Sequence, residues 1–178
     1  MGFSVDGLSF YIASNQRDAR TLDIYKYSVD DYSKSMLYQN NEAYEVTAKS
    51  DGDRYFVLTN SVDNYSTQIV LYDQITDAEL NITNNKVENN FLSFMGNTLL
   101  YSSNYDDNFN QLWSIDLTTN EEKKVYSAPW DIVGANFYEN TNTLHVFINE
   151  DASTKLVFLS AEDFTELSNE ILPLSLIH

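Results

Sequence analysis

The side chains that could carry bond chemistry in this chain are few, and their spacing is poor for it. The five glycines stand at 2, 7, 52, 96 and 134. No two are four apart, so the Gly-x-Ser-x-Gly elbow of a serine hydrolase is absent. The same five positions rule out Gly-x-Gly-x-x-Gly and the phosphate-binding loop. There is no cysteine, so thiolate catalysis, thiolate metal sites and disulfides are all excluded. The two histidines are His145 and the terminal His178. His145 lies between Leu144 and Val146, in a segment that alternates like a strand, and reads as a structural histidine rather than a general base. No catalytic residue, cofactor site or metal site is expected.

Acids are abundant, with 27 Asp and Glu against 10 Lys and Arg and a net charge of −17. A chain this acidic repels phosphate backbones and anionic membranes, so nucleic acid and membrane are not expected partners. Its field attracts cationic ligands or peptides. Asp106-Asp107, Glu150-Asp151 and Asp63-Asn64 cluster oxygen atoms of the kind that hold Ca²⁺. None has the alternating spacing of an EF-hand, so they read as solvated Asx-turn loops rather than Ca²⁺ sites. The expected ligand or partner contacts are Trp130, Asp131, Asp106, Asp107, Glu150 and Asp151. No apolar run reaches membrane-spanning length. With no visible signal peptide and no cysteine, a soluble and cytoplasmic chain is the expectation.

The elements that must position these residues repeat. Phe10–Asn15, Tyr55–Asn60, Leu99–Asn104 and His145–Asn149 are apolar strands ending in asparagine, and those asparagines stand at 15, 60, 104 and 149. A second strand follows each, at Asp23–Tyr27, Gln68–Asp73, Gln111–Asp116 and Lys155–Leu159. Polar turns come next, at Asp30-Asp31, Thr76-Asp77, Thr119-Asn120 and Glu162-Asp163, each leading into a short, weaker strand. Asp6-Gly7, Asp51-Gly52 and Gly96-Asn97 mark tight turns before the asparagine-terminated strands, with Asn140-Thr141-Asn142 in the fourth copy. A short apolar run precedes each turn.

The unit is a four-stranded antiparallel meander of roughly 45 residues, which is a propeller blade. The expected fold is all-β: a β-propeller with blades at about 1–40, 41–86, 87–128 and 129–170. The apolar 171–178 is expected to open a further blade in a larger ring of seven or eight. An open arc exposes apolar end faces, so self-association is expected.

The third and fourth copies resemble the propeller domain of prolyl oligopeptidase-type serine peptidases, particularly acylaminoacyl-peptidase-like members. The similarity is carried by Leu99–Asn104, Gln111–Leu117, Pro129-Trp130-Asp131-Ile132, Asn149-Glu150-Asp151 and Leu172-Pro173. TolB-like propellers share the Asp-Gly turn and much of the spacing. The paired Gly-His of WD repeats is absent. The resemblance implies a non-catalytic domain that covers an α/β-hydrolase domain and filters its substrates, the hydrolase lying outside this chain. The alternative is a stand-alone TolB-like propeller that binds a protein or peptide. A third possibility is an enzymatic site of carboxylates or His145 formed across blades.

Overall fold

Strand-forming side chains fill the second and third strand of every copy, and these become the buried layers of four separate sheets. The computed structural model describes residues 1–83 and 86–172. The first sheet holds β1 (Gly2–Phe3), β2 (Ser9–Ser14), β3 (Asp23–Ser28) and β4 (Lys34–Tyr38). The second holds β5 (Glu45–Lys49), β6 (Tyr55–Ser61), β7 (Thr67–Asp73) and β8 (Ala78–Asn81). The third holds β9 (Asn89–Met95), β10 (Thr98–Ser103), β11 (Gln111–Asp116) and β12 (Glu122–Tyr126). The fourth holds β13 (Asp131–Tyr138), β14 (Thr143–Glu150), β15 (Ser153–Ser160) and β16 (Glu166–Leu172). Each is an antiparallel meander in chain order. By their internal contacts, 1–86 and 87–178 are two compact units, each with two of the sheets.

Burial explains why the second and third strands read as continuous apolar runs rather than alternating ones. Tyr55–Leu58 and Leu99–Ser103 are buried at every position, so both faces of these strands are covered. The fourth strands are polar and exposed, as in β8 and β16, and their charged side chains protect the sheet edge from further pairing. In the first unit Tyr11, Ile24, Phe56, Leu58, Val70 and Tyr72 form one core. In the second, Leu100, Leu112, Ile132, Leu144, Val146, Ile148, Val157 and Leu159 form another.

The high tyrosine content has a structural use. In the first unit the Tyr38 hydroxyl of β4 donates to Glu79 of β8 at 2.6 Å. In the second the Tyr126 hydroxyl of β12 donates to Glu166 of β16 at 2.7 Å. Each bond is a strut from one outer strand to the outer strand of the next sheet. Burial, with the Glu166 carboxylate beside it, pushes the Tyr126 phenol up to about 12. That keeps the phenol a donor through the physiological range.

Three sequence expectations are corrected. Ile171 and Leu172, expected to open a further blade, are the last residues of β16 and pair with Lys155 and Thr154. The remainder of that expected strand, 173–178 with Pro173, lies outside the described residues. The Asp51-Gly52 turn does not place its positive φ on glycine. Gly7 donates to the Ser4 carbonyl, and the matching bond runs from Asp53 to the Ser50 carbonyl. Asp53 therefore holds the left-handed conformation (φ 61°) that Gly7 holds in the first sheet (φ 71°). Its carboxylate offsets the cost by accepting from the Val5 backbone N–H and the Lys49 ammonium, both at 2.6 Å.

The third correction concerns the asparagine ladder. One backbone bond recurs in all four sheets: Val29 to Leu8, Gln74 to Arg54, Leu117 to Asn97 and Ala161 to Asn142. Counted from those acceptors, Asn15, Asn104 and Asn149 are equivalent and Asn60 comes one residue early. A shift of one residue turns a strand side chain to the opposite face, so Asn60 does not occupy the position of the other three.

Candidate functional site

Asn110 immediately precedes β11 and Gln111 opens it, and both are tied to the segment 128–132. The Gln111 amide brackets Ala128, donating to its carbonyl at 3.0 Å and accepting from its N–H at 2.7 Å. The Asn110 backbone N–H donates to Asp131 Oδ1 at 2.8 Å, and the Ile132 N–H donates back to the Asn110 carbonyl at 2.8 Å. These bonds stitch the start of β11 to the start of β13. They also anchor the Asn110 backbone, and the residue is only 9% exposed. Its Oδ1 is buried without a hydrogen-bond partner. A buried acceptor left in that state costs stability.

Asn110 lines an open cleft of about 430 Å³. Amides dominate the wall, with Asn90, Asn104, Asn108 and Asn149 beside Asn110, and Glu88 and Asp131 add carboxylates. Strand register explains the gathering. Asp131 is the cross-strand partner of Asn149, and Asn104 directly follows the Ser103–Asn89 pair. The Asn104 Oδ1 accepts from the Glu88 N–H at 3.2 Å, and the Asn90 amide donates to Glu88 Oε1 at 2.9 Å. A second cleft, in the first unit, is lined by Arg17, Asp18, Arg20 and Thr21. Its cations are already matched, Arg17 by Asp23 at 2.7 Å and Arg20 by Asp18 at 3.2 Å.

Of the six expected contact residues, the cleft takes Asp131 alone. Trp130 packs on Phe109 (ring centroids 6.2 Å apart) and against the core of the second unit. Asp106 pairs with Lys124 at 2.6 Å, and that ammonium also lies 5.4 Å from the Trp113 ring. Asp107 accepts from the Asn108 and Phe109 N–H groups, as an Asx-turn does. Glu150 stands 3.6 Å from the Lys155 ammonium, and Asp151 holds positive φ (47°) in the β14–β15 turn. Among the described residues no three His, Asp or Glu side chains gather as metal ligands would. No helix among them is long and apolar enough to cross a membrane.

Five asparagines and Glu88 were not singled out as site residues from sequence. A signal was present for two of them, because Asn104 and Asn149 are the strand-ending asparagines that revealed the repeat.

His145 sits apart from any acid. Its ring stacks on Tyr138 (4.1 Å), meets Phe158 edge-on (4.7 Å) and places Nε2 3.2 Å from the Thr143 hydroxyl. Burial pushes its pKa down. In an NMR titration His145 should therefore lose its proton below the ordinary value of about 6.5. The unfolded chain binds that proton more tightly than the fold does. The stability contribution is thus complete above about pH 6.5 and declines as pH falls towards the folded pKa. A midpoint above 6.5 would contradict this packing.

No protein-family model and no curated protein sequence matches the chain. Solved structures do. One of two prolyl endopeptidases studied together superposes with a TM-score of 0.75 at 8% identity, over 97% of this chain and 28% of that one. Prolyl oligopeptidase B from Galerina marginata gives 0.73 at 14%, over 94% and 26%. TolB from Acinetobacter baumannii gives 0.66 at 16%, over 96% and 42%. The fold is a β-propeller. The likeness falls on the propeller regions of the peptidases and on the TolB propellers. The chain spans well under two thirds of these proteins' lengths.

Proposed function

We propose that this chain is a non-catalytic propeller segment that receives a peptide, acting as the substrate-gating part of an oligopeptidase-type serine peptidase. The observation that carries this reading is the amide-lined cleft, whose groups recognise hydrogen-bonding ligands. Prolyl oligopeptidase B from Galerina marginata, to which 94% of this chain is similar over 26% of that protein, is solved bound to a 35mer hydrolysis and macrocyclization substrate. That supports a peptide as the ligand class. The alternative is a stand-alone TolB-like binding propeller. In its favour, the chain spans 60% of the TolB-like protein from Agrobacterium tumefaciens, a larger share than of the peptidases.

The purified chain should not turn over chromogenic peptide or ester substrates above the rate of its His145→Ala variant. Turnover that His145→Ala abolishes would overturn the reading in favour of an enzymatic site. The two binding readings part at the reading frame after His178. A following segment with Gly-x-Ser-x-Gly supports the peptidase gate, and further blades ending in a stop codon support the stand-alone module.

A further inference from the structure

We infer that the amide-lined cleft is a subsite for a guanidinium group, taking the arginine side chain of a bound peptide. This rests on the peptide-binding reading above and narrows it to one side-chain chemistry. Four observations converge. The Asn110 side chain lines the cleft and its buried Oδ1 lacks a donor; turning that amide outward on binding lets a ligand N–H supply one. Asp131 has one oxygen engaged by the Asn110 N–H, and no other partner is found for it among the described residues. Glu88 adds a second carboxylate to the same wall, in a chain whose net charge is −17. Val133, 57% exposed, supplies apolar surface along which an aliphatic stem can lie.

The donor pattern favours guanidinium over ammonium. A guanidinium presents five N–H donors in a planar fork and is weakly hydrated, so it suits a wall of separated amide and carboxylate oxygens. An ammonium is a compact, strongly hydrated point charge with three donors. An anion would meet Glu88 and Asp131. A metal ion would want converging hard ligands, and the wall holds two carboxylates among amides. The volume, about 430 Å³, falls in the range of roughly 300–1,000 Å³ typical of small-ligand sites.

The test is calorimetric and NMR titration of the full chain with N-acetyl-arginine amide, N-acetyl-lysine amide and N-acetyl-citrulline amide. Citrulline keeps the shape of arginine and removes the charge. The arginine amide should bind and move the side-chain amide signals of Asn104 and Asn110. The citrulline amide should bind at least about tenfold more weakly, the discrimination expected of a charge-assisted bond. Glu88→Gln should weaken arginine binding by about tenfold and leave the thermal midpoint in place. Asn110→Leu should weaken the arginine and citrulline amides alike without lowering the midpoint, because it removes a neutral acceptor that has no partner in the free chain.

Equal affinity for arginine and citrulline amides overturns the inference. So does Ca²⁺ that occupies the cleft and blocks arginine. Binding of mixed peptides without preference for arginine overturns the subsite and leaves the peptide-binding function standing. Hydrolysis of ester substrates by the chain overturns the function itself.

Discussion

Phe56→Ala is expected to cost about 3–5 kcal/mol of folding stability, the range for removing a buried aromatic ring. Phe56 is fully buried in β6, with the Tyr11 ring edge-on at 5.1 Å and the Tyr72 ring at 6.3 Å. Tyr11 lies in the first sheet and Phe56 and Tyr72 in the second, so the ring fills the seam between the two. The surrounding strands are hydrogen-bonded on both sides and cannot collapse into the space. Equilibrium unfolding in urea should show a lower midpoint with an unchanged slope. A loss under about 1 kcal/mol would mean that the seam closes over the gap, against the rigid packing expected of a sheet interface.

Asp23→Ala should come next, at about 3 kcal/mol, because it strips a buried acceptor from several donors at once. The Asp23 carboxylate is wholly buried and takes two bonds from the Arg17 guanidinium, at 2.7 and 2.8 Å. It also accepts the Asn40 backbone N–H at 2.9 Å. Arg17 in turn donates to the Asn40 carbonyl at 3.0 Å, so one residue pair anchors the start of β3 to the segment after β4. The Arg17 bond, helped by the Asn40 N–H, holds the Asp23 pKa below the usual carboxylate value despite burial. A folded pKa below the unfolded one means that the stabilisation is complete above about pH 4 and is lost as pH falls through the folded value. The gap between native and variant should therefore be widest at neutral pH and narrow in acid. A gap independent of pH would show that the carboxylate acts by packing alone. The second sheet uses the same device, with Arg54 on the buried Asp73 at 2.8 Å.

Architecture was largely legible in the sequence, because the blade is written four times. The apolar runs at Tyr55–Leu58 and Leu99–Tyr101 need burial on both faces, and the polar turns between them leave few alternatives to a meander. Side-chain placement was legible only where one face or one turn type dictated it. At Asp51-Gly52 the dipeptide signal pointed to glycine, but the register ran one residue further and Asp53 took the strained position. At Ile171-Leu172 apolar character suggested a new strand, although pairing with Thr154 and Lys155 satisfies these residues in β16.

The cleft was the least legible feature. Asparagine at a strand end is ordinary turn chemistry, and nothing in the linear sequence distinguishes a turn-forming amide from a wall-lining one. Asp131 was singled out through its neighbour Trp130. It proves to matter through its bond to Asn110, twenty-one residues back in the chain. Only the register of β13 on β14 brings Asp131 beside Asn149.

The early placement of Asn60 has a practical consequence for anyone building on this repeat. Consensus engineering aligns the copies, keeps the commonest residue in each column and discards the rest as drift. Aligned on its asparagines, the second copy would be threaded one step out of phase, and every side chain of β6 would be read from the wrong face. Aligned instead on the recurring Val29–Leu8, Gln74–Arg54, Leu117–Asn97 and Ala161–Asn142 bonds, the columns fall into place and Asn60 drops out of the amide column. An averaged blade made that way would inherit the scaffold of all four copies. Asn110 and Asp131 belong to single copies, so the chemistry of the cleft would vanish in the averaging.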